Sequence, residues 1–294
     1  MNLREYLAAQ QKLVDAELDR LVPPESAPPE TIHRAMRYSL FAGGKRIRPL
    51  LCMEAARAVG GPAEGVVAAA CPLELIHTYS LIHDDLPALD NDDYRRGKLT
   101  CHKVFGEAMA ILAGDALLTL AFEVLAHLPA LDGARRAALV AELAAASGTV
   151  GGMIGGQVAD LEGEGQPPTA PLLESIHRAK TGALLRASLR MGAIYAGAAP
   201  PQYDALSRFG EHVGLAFQIV DDLLDVEGST EALGKTAGKD AAQQKITFPA
   251  VYGLQTSHRM AEAECARAHA ALQPFGDRAS RLHELADLIV HRQS

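Results

Sequence analysis

Apolar residues recur at helical spacing along nearly the whole chain, and short groups of proline and glycine interrupt them. Alanine and leucine supply most apolar positions, whereas the β-branched and aromatic runs typical of strands are scarce. The interruptions fall at residues 23–29, 43–44, 60–62, 129, 163–171 and 200–201. None of them is long enough to be a flexible linker, so the pattern predicts an all-α fold in which residues 1–294 form a single domain of about ten helices.

Two segments stand out from this pattern. Residues 66–86 are apolar on nearly every side, which predicts a helix that lies centrally in the fold. Residues 228–244 are polar and contain several glycines and lysines, which predicts a long loop. Loops of that length in compact domains are usually either functional or disordered.

Two acidic clusters follow apolar stretches, and they carry most of the chemical information. Their sequences are DDLPALD at residues 84–90 and DDLLD at residues 221–225. Desolvating an ionised carboxylate costs several kcal/mol, so acidic groups with such apolar surroundings need counter-charges. Mg²⁺ takes oxygen ligands and often shares its coordination shell with a substrate phosphate, so the clusters indicate diphosphate chemistry. The alternative interpretation of a single cluster is a solvated helix end. The presence of two similar clusters makes that interpretation less favourable.

The spacing within each cluster predicts its geometry. Asp221 and Asp225 stand at i and i+4, so a helix places both on one face. Asp84 and Asp90 are six residues apart, which an uninterrupted helix would point in different directions. Pro87 lies between them and breaks or kinks a helix. We therefore expect the helix to end or bend near Pro87 and the chain to return Asp90 beside Asp84.

Composition narrows the class of protein. The net charge of −8, with no offsetting basic stripe, argues against nucleic acid as a partner. The four cysteines are widely spaced without a Cys-x-x-Cys pair, which favours reduced thiols over a zinc site or a disulfide framework. The N-terminus lacks the apolar core of a signal peptide, and no stretch reaches the ~20 uncharged apolar residues of a membrane span. We therefore expect a cytoplasmic protein without stable membrane insertion.

Basic residues occur where an anionic substrate would need them. The GGKRIRP segment at residues 43–49 places three cations behind a glycine pair, and arginine presents a planar fork to phosphate oxygens. A solvated basic turn is the alternative. Arg95 and Arg96 follow the first acidic cluster, where they either neutralise Asp92 and Asp93 or bind the anionic end of a substrate.

Polar residues near the clusters extend the candidate site. His77 lies two helical turns before Asp84 on the same face, although a lone histidine on an apolar face is more often a core residue. Gln218 shares the helical face of Asp221. The GGQVAD segment at residues 155–160 is a further small polar cluster, for which close helix packing is the alternative interpretation.

Together these motifs resemble the trans-polyprenyl diphosphate synthases, which elongate allylic diphosphates with isopentenyl diphosphate. The resemblance covers nearly the whole chain and implies a helical bundle of the isoprenoid synthase type around a central cavity. It rests on GKRIRP at residues 44–49, DDLPALD with RRG at 84–97, GGQ at 155–157, Lys180-Thr181, QIVDDLLD at 218–225 and GKTAGKD at 234–240.

The resemblance implies a role for each matching residue. Three Mg²⁺ ions are implied per active site, two held by Asp84, Asp85 and Asp90 and the third by Asp221 with Asp225. The allylic diphosphate would be clamped by Arg95, Lys180, Lys235 and Lys245, with Thr181 and Gln218 near the reacting carbons. Isopentenyl diphosphate would bind Gly44, Lys45, Arg48, His77 and Arg96. The family resemblance also implies a homodimer.

The implied reaction condenses isopentenyl diphosphate with dimethylallyl or geranyl diphosphate and releases pyrophosphate. We expect the C15 product, farnesyl diphosphate, because Tyr79 and Ser80 precede the first aspartate by five and four residues. The growing chain would run along the helix that carries Asp84, and bulky Tyr79 would form the floor of its tunnel. Similar bacterial farnesyl enzymes carry an aromatic residue here, whereas geranylgeranyl enzymes carry a smaller or more flexible one.

Three alternatives remain open. The first is a geranylgeranyl diphosphate synthase of the same family. The second is a terpene cyclase, although its second metal motif normally mixes Asn, Ser and Glu, and cyclases tend to be richer in aromatic residues than the 5% found here. The third is a non-catalytic helical subunit or metal-binding scaffold, which we would expect to have lost one acidic cluster or the basic residues.

Overall fold

A computed structural model describes residues 2–61, 65–129, 131–227 and 246–291 of the chain, and helices dominate it. The all-α prediction is confirmed. The chain divides into two compact units: unit 1 comprises residues 1–50 and 64–140, and unit 2 comprises residues 51–63 and 141–294. The prediction that residues 1–294 form a single domain stays a prediction. The predicted loop at residues 228–244, which includes Lys235 and Lys239, lies outside the described residues, and so does Lys245.

Unit 1 is built around one buried helix. Its elements are α1 (Leu3–Leu21), α2 (Glu30–Leu40), α4 (Val66–Asp84), β1 (Tyr94–Arg95), β2 (Lys98–Leu99), α5 (Cys101–Phe105) and α6 (Glu107–Ala126). Two more helices, α3 (Ile47–Val59) and α7 (Gly133–Ser147), contribute residues to both units. Helix α4 packs against α1, α2 and α6. Most of its residues are buried, as expected for a helix that is apolar all round, so its predicted central position is confirmed within unit 1.

Local signals account for several helix ends. Helix α1 begins with a capping box, in which Asn2 Oδ1 accepts from the Glu5 backbone N–H at 2.9 Å and Glu5 Oε2 accepts from the Asn2 backbone N–H at 3.2 Å. The predicted interruptions at residues 23–29 and 163–171 coincide with the breaks between α1 and α2 and between the later helices α8 and α9.

A short hairpin that the helical pattern does not predict follows the first acidic cluster. Strands β1 and β2 pair antiparallel, with Arg95 opposite Lys98. Arg96 (φ 53°) and Gly97 (φ 74°) form the two-residue turn between them. Two positive φ values in a two-residue hairpin loop are typical of a type I′ turn, whose twist suits antiparallel strands. The turn fixes where the two adjacent arginines point.

Unit 2 is organised around its longest helix. Its further elements are α8 (Met153–Gly163), α9 (Ala170–His177), a π-helical segment (Arg178–Gly182), α10 (Ala183–Ala196), α11 (Pro200–Glu227), α12 (Phe248–Tyr252), α13 (Leu254–Ala271), a 3₁₀ segment (Gln273–Ala279) and α14 (Ser280–Val290). Helix α11 packs against α10, α13, α14 and the π-helical segment. It begins at Pro200, because proline is suited to the first turn of a helix, where its missing N–H costs nothing.

Two described helices, α4 and α6, are long and apolar enough to cross a bilayer by length and composition alone. About 67% of the most apolar window of α4 is buried inside the protein. A core helix of a water-soluble protein meets the same two criteria, so this property is weak support for a membrane span.

Candidate active site

The first acidic cluster is formed where α4 ends. The helix terminates at Asp84, three residues before Pro87, and the backbone then reverses. The Asp90 N–H donates to the Asp84 carbonyl oxygen at 2.8 Å, and the Asp92 N–H donates to the Asp85 carbonyl oxygen at 3.2 Å. The predicted return of Asp90 to the side of Asp84 is therefore confirmed at the backbone.

Asp85, the middle carboxylate of this cluster, is paired with an arginine. It is 3% exposed, and Arg95 binds both of its oxygens: Nε lies 2.8 and 2.9 Å from Oδ1 and Oδ2, and Nη2 lies 2.5 Å from Oδ1. Burial raises the pKa of Asp85, and Arg95 offsets part of that rise. Arg95 also lies 3.8 Å from Asp92, whereas Asp93 pairs with Lys103 at 2.8 Å. The predicted alternative in which Arg95 and Arg96 neutralise Asp93 is therefore wrong.

The basic segment at residues 43–49 contains one structural and two candidate binding cations. Arg46 is 3% exposed, with Nε 2.8 Å from Asp15 Oδ1, Nη1 2.7 Å from Glu74 Oε1 and Nη2 2.7 Å from the Leu40 carbonyl oxygen. These contacts use its guanidinium within the protein. Lys45 is exposed and Arg48 is half-buried, so both remain candidates for phosphate binding.

Unit 1 gathers arginines around His77. Arg96 Nη1 donates to the Gly43 carbonyl oxygen, which brings the hairpin turn against the glycine pair. A Cβ on Gly44 would lie 2.7 Å from Arg96 Nη1, so the absence of a side chain there permits this approach. Burial, followed by the charges of Arg48 and Arg96, lowers the pKa of His77 well below its usual value. His77 is therefore neutral at pH 7.

Tyr79 and Ser80 lie one turn before Asp84, as predicted. Tyr79 is 5% exposed, and its hydroxyl has no hydrogen-bond partner among the described residues. Its ring meets that of His83 edge-on, with centroids 5.7 Å apart. Ser80 Oγ donates to the His77 carbonyl oxygen at 2.9 Å. Burial and the neighbouring Asp84 raise the pKa of Tyr79 to about 12, so it stays a neutral phenol.

A cleft within unit 1 opens beside the acidic cluster. It encloses about 400 Å³, including space open to solvent, and its walls include Thr78, Ile82, Asp85, Arg95 and Arg96. Thr78 rather than Tyr79 faces it, so this cleft is not the predicted tunnel. The role of Tyr79 as a tunnel floor stays a prediction.

The second acidic cluster lies on the last turns of α11, as its spacing predicts. Asp221 is half-buried, and Gln218 Nε2 lies 3.5 Å from its Oδ2, which confirms the shared helical face. Asp222 is buried and accepts from the Phe248 backbone N–H at 2.8 Å. Asp225 is 5% exposed, and its Oδ1 has no hydrogen-bond partner among the described residues.

His177 is a residue that sequence reasoning missed. It ends α9 and stacks on Phe248 with ring centroids 5.3 Å apart, and its Nδ1 donates to Gln218 Oε1 at 2.9 Å. Its Nε2 lies 3.4 Å from Asp222 Oδ2. Burial lowers the pKa of His177, but Asp222, Gln218 and Asp160 together raise it, so that its net shift is upward. The only sign in the sequence that His177 belongs to the site was its position three residues before the candidate binding residue Lys180.

Lys180 and Thr181 lie in the π-helical segment, a form that occurs frequently at functional sites. Lys180 Nζ donates to Asp160 Oδ2 of α8 at 2.6 Å. A Cβ on Gly156 would lie 2.2 Å from the Lys180 backbone nitrogen, so α8 approaches this segment through a glycine. For Gly156, the alternative of close helix packing is therefore correct, and this packing sets the position of Lys180.

Both clusters fit magnesium. A buried carboxylate oxygen without a partner is unfavourable, and Asp225 Oδ1 has none within the part of the chain that the structure describes. The reversal after α4 sets Asp90 beside Asp84, which supplies two hard oxygen donors from one short segment. In each cluster the inner aspartate, Asp85 or Asp222, is buried and accepts a hydrogen bond from Arg95 or from the Phe248 N–H. The outer aspartates are Asp84, Asp90, Asp221 and Asp225.

Comparison with known proteins places these features in a wider context. Residues 29–278 match the sequence model of the family described as polyprenyl synthetase. The farnesyl diphosphate synthase of Geobacillus stearothermophilus is 49% identical over 86% of this chain and 86% of its own length. A chloroplastic heterodimeric geranylgeranyl pyrophosphate synthase large subunit of Arabidopsis thaliana is 48% identical over 98% of this chain and 79% of its own length.

A solved structure supports the same relationship. The FPP/GFPP synthase of Zymomonas mobilis superposes with a TM-score of 0.87 at 38% identity, covering 98% of this chain and 99% of that one. Identity of this level over nearly all of both chains extends the likeness beyond the fold.

Proposed function

We propose, since the chain belongs to the polyprenyl synthetase family, that this prenyltransferase condenses isopentenyl diphosphate with dimethylallyl and geranyl diphosphates to give farnesyl diphosphate and pyrophosphate. The observation that carries the proposal is that each unit holds an aspartate cluster whose inner carboxylate is bonded within the protein and whose outer carboxylates suit Mg²⁺. Basic residues accompany both clusters, as a diphosphate substrate requires.

The outer carboxylates would hold the ions. Asp84 and Asp90 serve unit 1, and Asp221 and Asp225 serve unit 2. When bound, Mg²⁺ would neutralise the negative charge that develops on a departing diphosphate. Asp85 binds metal, as predicted, only when Arg95 releases it and binds the substrate instead. Three ions per active site remain our expectation.

The basic residues stabilise the leaving group. The allylic C–O bond breaks and its electrons leave with pyrophosphate, so Arg95 and Lys180 donate to oxygens whose negative charge grows. Arg95 then exchanges Asp85 for the diphosphate, and Lys180 exchanges Asp160. Lys235 and Lys245, outside the described residues, complete the proposed clamp. Thr181 and Gln218 lie near the reacting carbons in this assignment.

Isopentenyl diphosphate is assigned to the basic segment of unit 1, with Gly44, Lys45, Arg48, His77 and Arg96 as its binding residues. A neutral His77 among arginines donates or accepts a hydrogen bond without adding charge, which suits a site that already holds several cations. The double bond of isopentenyl diphosphate attacks the allylic cation, one carbon–carbon bond forms, and a proton is lost. The departed pyrophosphate is the strongest nearby anion and takes that proton.

The C15 product is supported by Tyr79. Its buried ring, one turn before Asp84, is bulky, and its hydroxyl has no hydrogen-bond partner among the described residues, which suits the apolar end of a prenyl tunnel. The relatives are named as farnesyl enzymes in some cases and as geranylgeranyl enzymes in others. The choice of a C15 product therefore rests on Tyr79 and not on these names.

The reaction is tested by pyrophosphate release with isopentenyl and geranyl diphosphates in the presence of Mg²⁺. We expect release only when both substrates are present, and none when EDTA replaces Mg²⁺. Turnover of an allylic diphosphate alone would identify a terpene cyclase instead. Release under no condition would identify a scaffold and overturn the proposal.

Product length is tested by chromatography of the wild type, Tyr79→Ala and Tyr79→Phe. The wild type should yield mainly C15, and Tyr79→Ala should add C20 and longer products because the floor is removed. Tyr79→Phe, the matched control, keeps the ring and should still stop at C15. Mainly C20 from the wild type, or C15 from Tyr79→Ala, would place the floor elsewhere.

We also propose a homodimer located in the cytoplasm. Exposed apolar residues on α6, among them Ile111 and Leu112, supply surface suited to a second copy. All four cysteines lie within the described residues, and they are buried and form no disulfide, in keeping with a reducing compartment. The mass of the protein in solution tests the dimer, and a monomer at micromolar concentration would contradict it.

A further inference from the structure

A cluster of metal-binding side chains lies in unit 2, outside the residues assigned above. Helices α13 and α14 pack against each other. Cys265 and His269 stand at i and i+4 on α13, and His283 and Asp287 stand at i and i+4 on α14. Each pair therefore occupies one face of its helix, and the two faces meet.

Three ligand atoms converge at this point. Cys265 Sγ lies 3.5 Å from His269 Nε2 and 3.8 Å from Asp287 Oδ1, and the last two atoms are 2.8 Å apart. In a tetrahedral zinc site, bonds of about 2.3 Å to sulfur and about 2.0–2.1 Å to nitrogen or oxygen separate neighbouring ligands by roughly 3.3–3.6 Å. The two separations from Cys265 Sγ lie within about 0.2 Å of this range, whereas the 2.8 Å between His269 Nε2 and Asp287 Oδ1 is about 0.5 Å below it. These two side chains therefore move apart by that amount to complete one face of the tetrahedron.

We propose that Cys265, His269 and Asp287 bind a Zn²⁺ ion that joins α13 to α14. A thiolate, an imidazole and a carboxylate form a mixed donor set that suits Zn²⁺ and not Mg²⁺, which takes oxygen ligands. The site is therefore distinct in chemistry from the aspartate clusters. Three protein ligands leave a fourth position for water.

His283 is assigned as a positioning residue. Its Nδ1 lies 2.5 Å from His269 Nδ1, and the two rings stack with centroids 4.8 Å apart. An ion on His269 Nε2 requires the proton of that ring on Nδ1, from which it donates to His283.

Exposure is graded across the site in the way that ion entry requires. Cys265 is buried, whereas the side chains of His269 and Asp287 are 31% and 54% exposed. A thiol gives up its proton when it binds Zn²⁺, so the incoming ion displaces the Cys265 proton to form the thiolate ligand.

The cysteine spacing could not reveal this site. Zinc motifs are recognised by paired cysteines or histidines along the chain, and Cys265 has no cysteine neighbour in the sequence. Its partner Asp287 is 22 residues away on the next helix. The proposal departs from the expectation that widely spaced cysteines favour reduced thiols over a zinc site.

The test uses Co²⁺ as a spectroscopic probe for Zn²⁺ in the full-length protein. We expect one equivalent to give strong visible absorption, typical of tetrahedral Co²⁺, and a near-ultraviolet thiolate-to-metal band. Added Zn²⁺ should displace the probe. Aspartate clusters that bind Co²⁺ through oxygen alone give no thiolate band, so the two kinds of site are distinguished.

Variants assign the ligands. Cys265→Ser should abolish the thiolate band, and Asp287→Asn, at an exposed position that tolerates change, should weaken binding at least about tenfold. His283→Gln should keep the band but weaken binding about 10–100-fold, the usual effect of removing a group that orients a ligand. His258→Gln, an exposed histidine of the same helix, is the control and should bind as the wild type does.

Stability gives a second readout that is independent of catalysis. One equivalent of Zn²⁺ should raise the Tm of the wild type and of His258→Gln, because an ion that binds only the folded state stabilises it. It should leave Cys265→Ser unchanged. A thiolate band that persists in Cys265→Ser, an Asp287→Asn variant that binds as the wild type does, or a wild type without the band would overturn the proposal.

Discussion

The aspartate clusters of the two units reach a similar arrangement by different backbone routes. In unit 1 the helix ends at Asp84 and a chain reversal sets Asp90 beside it. In unit 2 the helix continues, and the i, i+4 spacing alone aligns Asp221 with Asp225. One cluster therefore depends on a turn that proline encourages, and the other depends on helical periodicity.

The inner aspartate of each cluster has a different use from the outer ones. Asp85 is held by Arg95, and Asp222 is held by the Phe248 N–H and lies 3.4 Å from His177 Nε2. Both are buried, so each would be costly without these donors. In each cluster of three aspartates, therefore, the inner carboxylate stabilises the fold, and its two neighbours are suited to binding an ion.

The largest expected effect is on turnover. Asp84→Asn and Asp221→Asn should each lower kcat by about 100-fold or more, because each removes charge that holds the ions beside the leaving diphosphate. Circular dichroism should show an unchanged helix content. Steady-state kinetics at saturating Mg²⁺ measure the loss.

An exposed carboxylate on the same long helix provides the control. Asp204→Asn should keep normal turnover, since Asp204 lies on the surface of α11. Near-normal activity in Asp84→Asn or Asp221→Asn would remove the distinction between outer and inner aspartates.

The second prediction concerns the inner aspartates and is measured by urea denaturation. Arg95→Met should lower the free energy of unfolding by about 3 kcal/mol, because it leaves the Asp85 charge buried and unpaired. Asp222→Leu should lower it by about 2 kcal/mol, because the Phe248 N–H loses its acceptor in a buried position.

A paired control separates charge from packing in unit 1. The double variant Asp85→Leu with Arg95→Met removes both charges and should recover most of the stability lost in Arg95→Met. Equal instability of the single and double variants would show that packing, rather than the buried charge, dominates.

Local features of both clusters were accessible from sequence, whereas their partners were not. Helix termination before Pro87 and the alignment of Asp221 with Asp225 follow from backbone rules that act within a few residues. The pairing of Asp222 with the Phe248 N–H joins positions 26 residues apart, and sequence spacing carries no signal for such a contact.

The basic residues illustrate the same limit. Three cations between residues 43 and 49 looked equivalent by composition, yet the structure buries Arg46 between Asp15 and Glu74 and leaves Lys45 exposed. The hairpin turn was also missed, because Arg96 adopts a positive φ that its side chain does not favour and only the neighbouring Gly97 signals a turn.

The third prediction compares glycines near the two clusters. A Cβ on Gly156 would meet the Lys180 backbone nitrogen at 2.2 Å, so Gly156→Ala should cost about 1–3 kcal/mol of stability and raise the KM for the allylic diphosphate. Gly97 has open space around it and only a positive φ, so Gly97→Ala should cost about 1 kcal/mol. Urea denaturation and steady-state kinetics measure both. An allylic KM that Gly156→Ala leaves unchanged would show that this packing does not set the position of Lys180.

The smallest expected effect is on the pH dependence of stability, where His77 of unit 1 and His177 of unit 2 should act with opposite sign. The pKa of His77 is lowered by burial and by neighbouring arginines, so the unfolded chain takes up its proton first as the pH falls below about 6.5. His77 therefore costs stability on the acid side. The pKa of His177 is raised by Asp222 against the effect of burial, so its contribution is fully present below about 6.5 and is lost as the pH rises through the folded-state pKa.

Urea denaturation between pH 5 and pH 9 without Mg²⁺ separates the two contributions, each of which changes by at most about 1.4 kcal/mol per pH unit. His77→Gln should flatten the loss of stability below about pH 6.5 and leave the alkaline side unchanged. His177→Gln should flatten the loss above that pH and leave the acid side unchanged, so each variant serves as the control for the other. A change on the same side in both variants would mean that the arginines of unit 1 and Asp222 of unit 2 do not set the charges of these histidines as their contacts indicate.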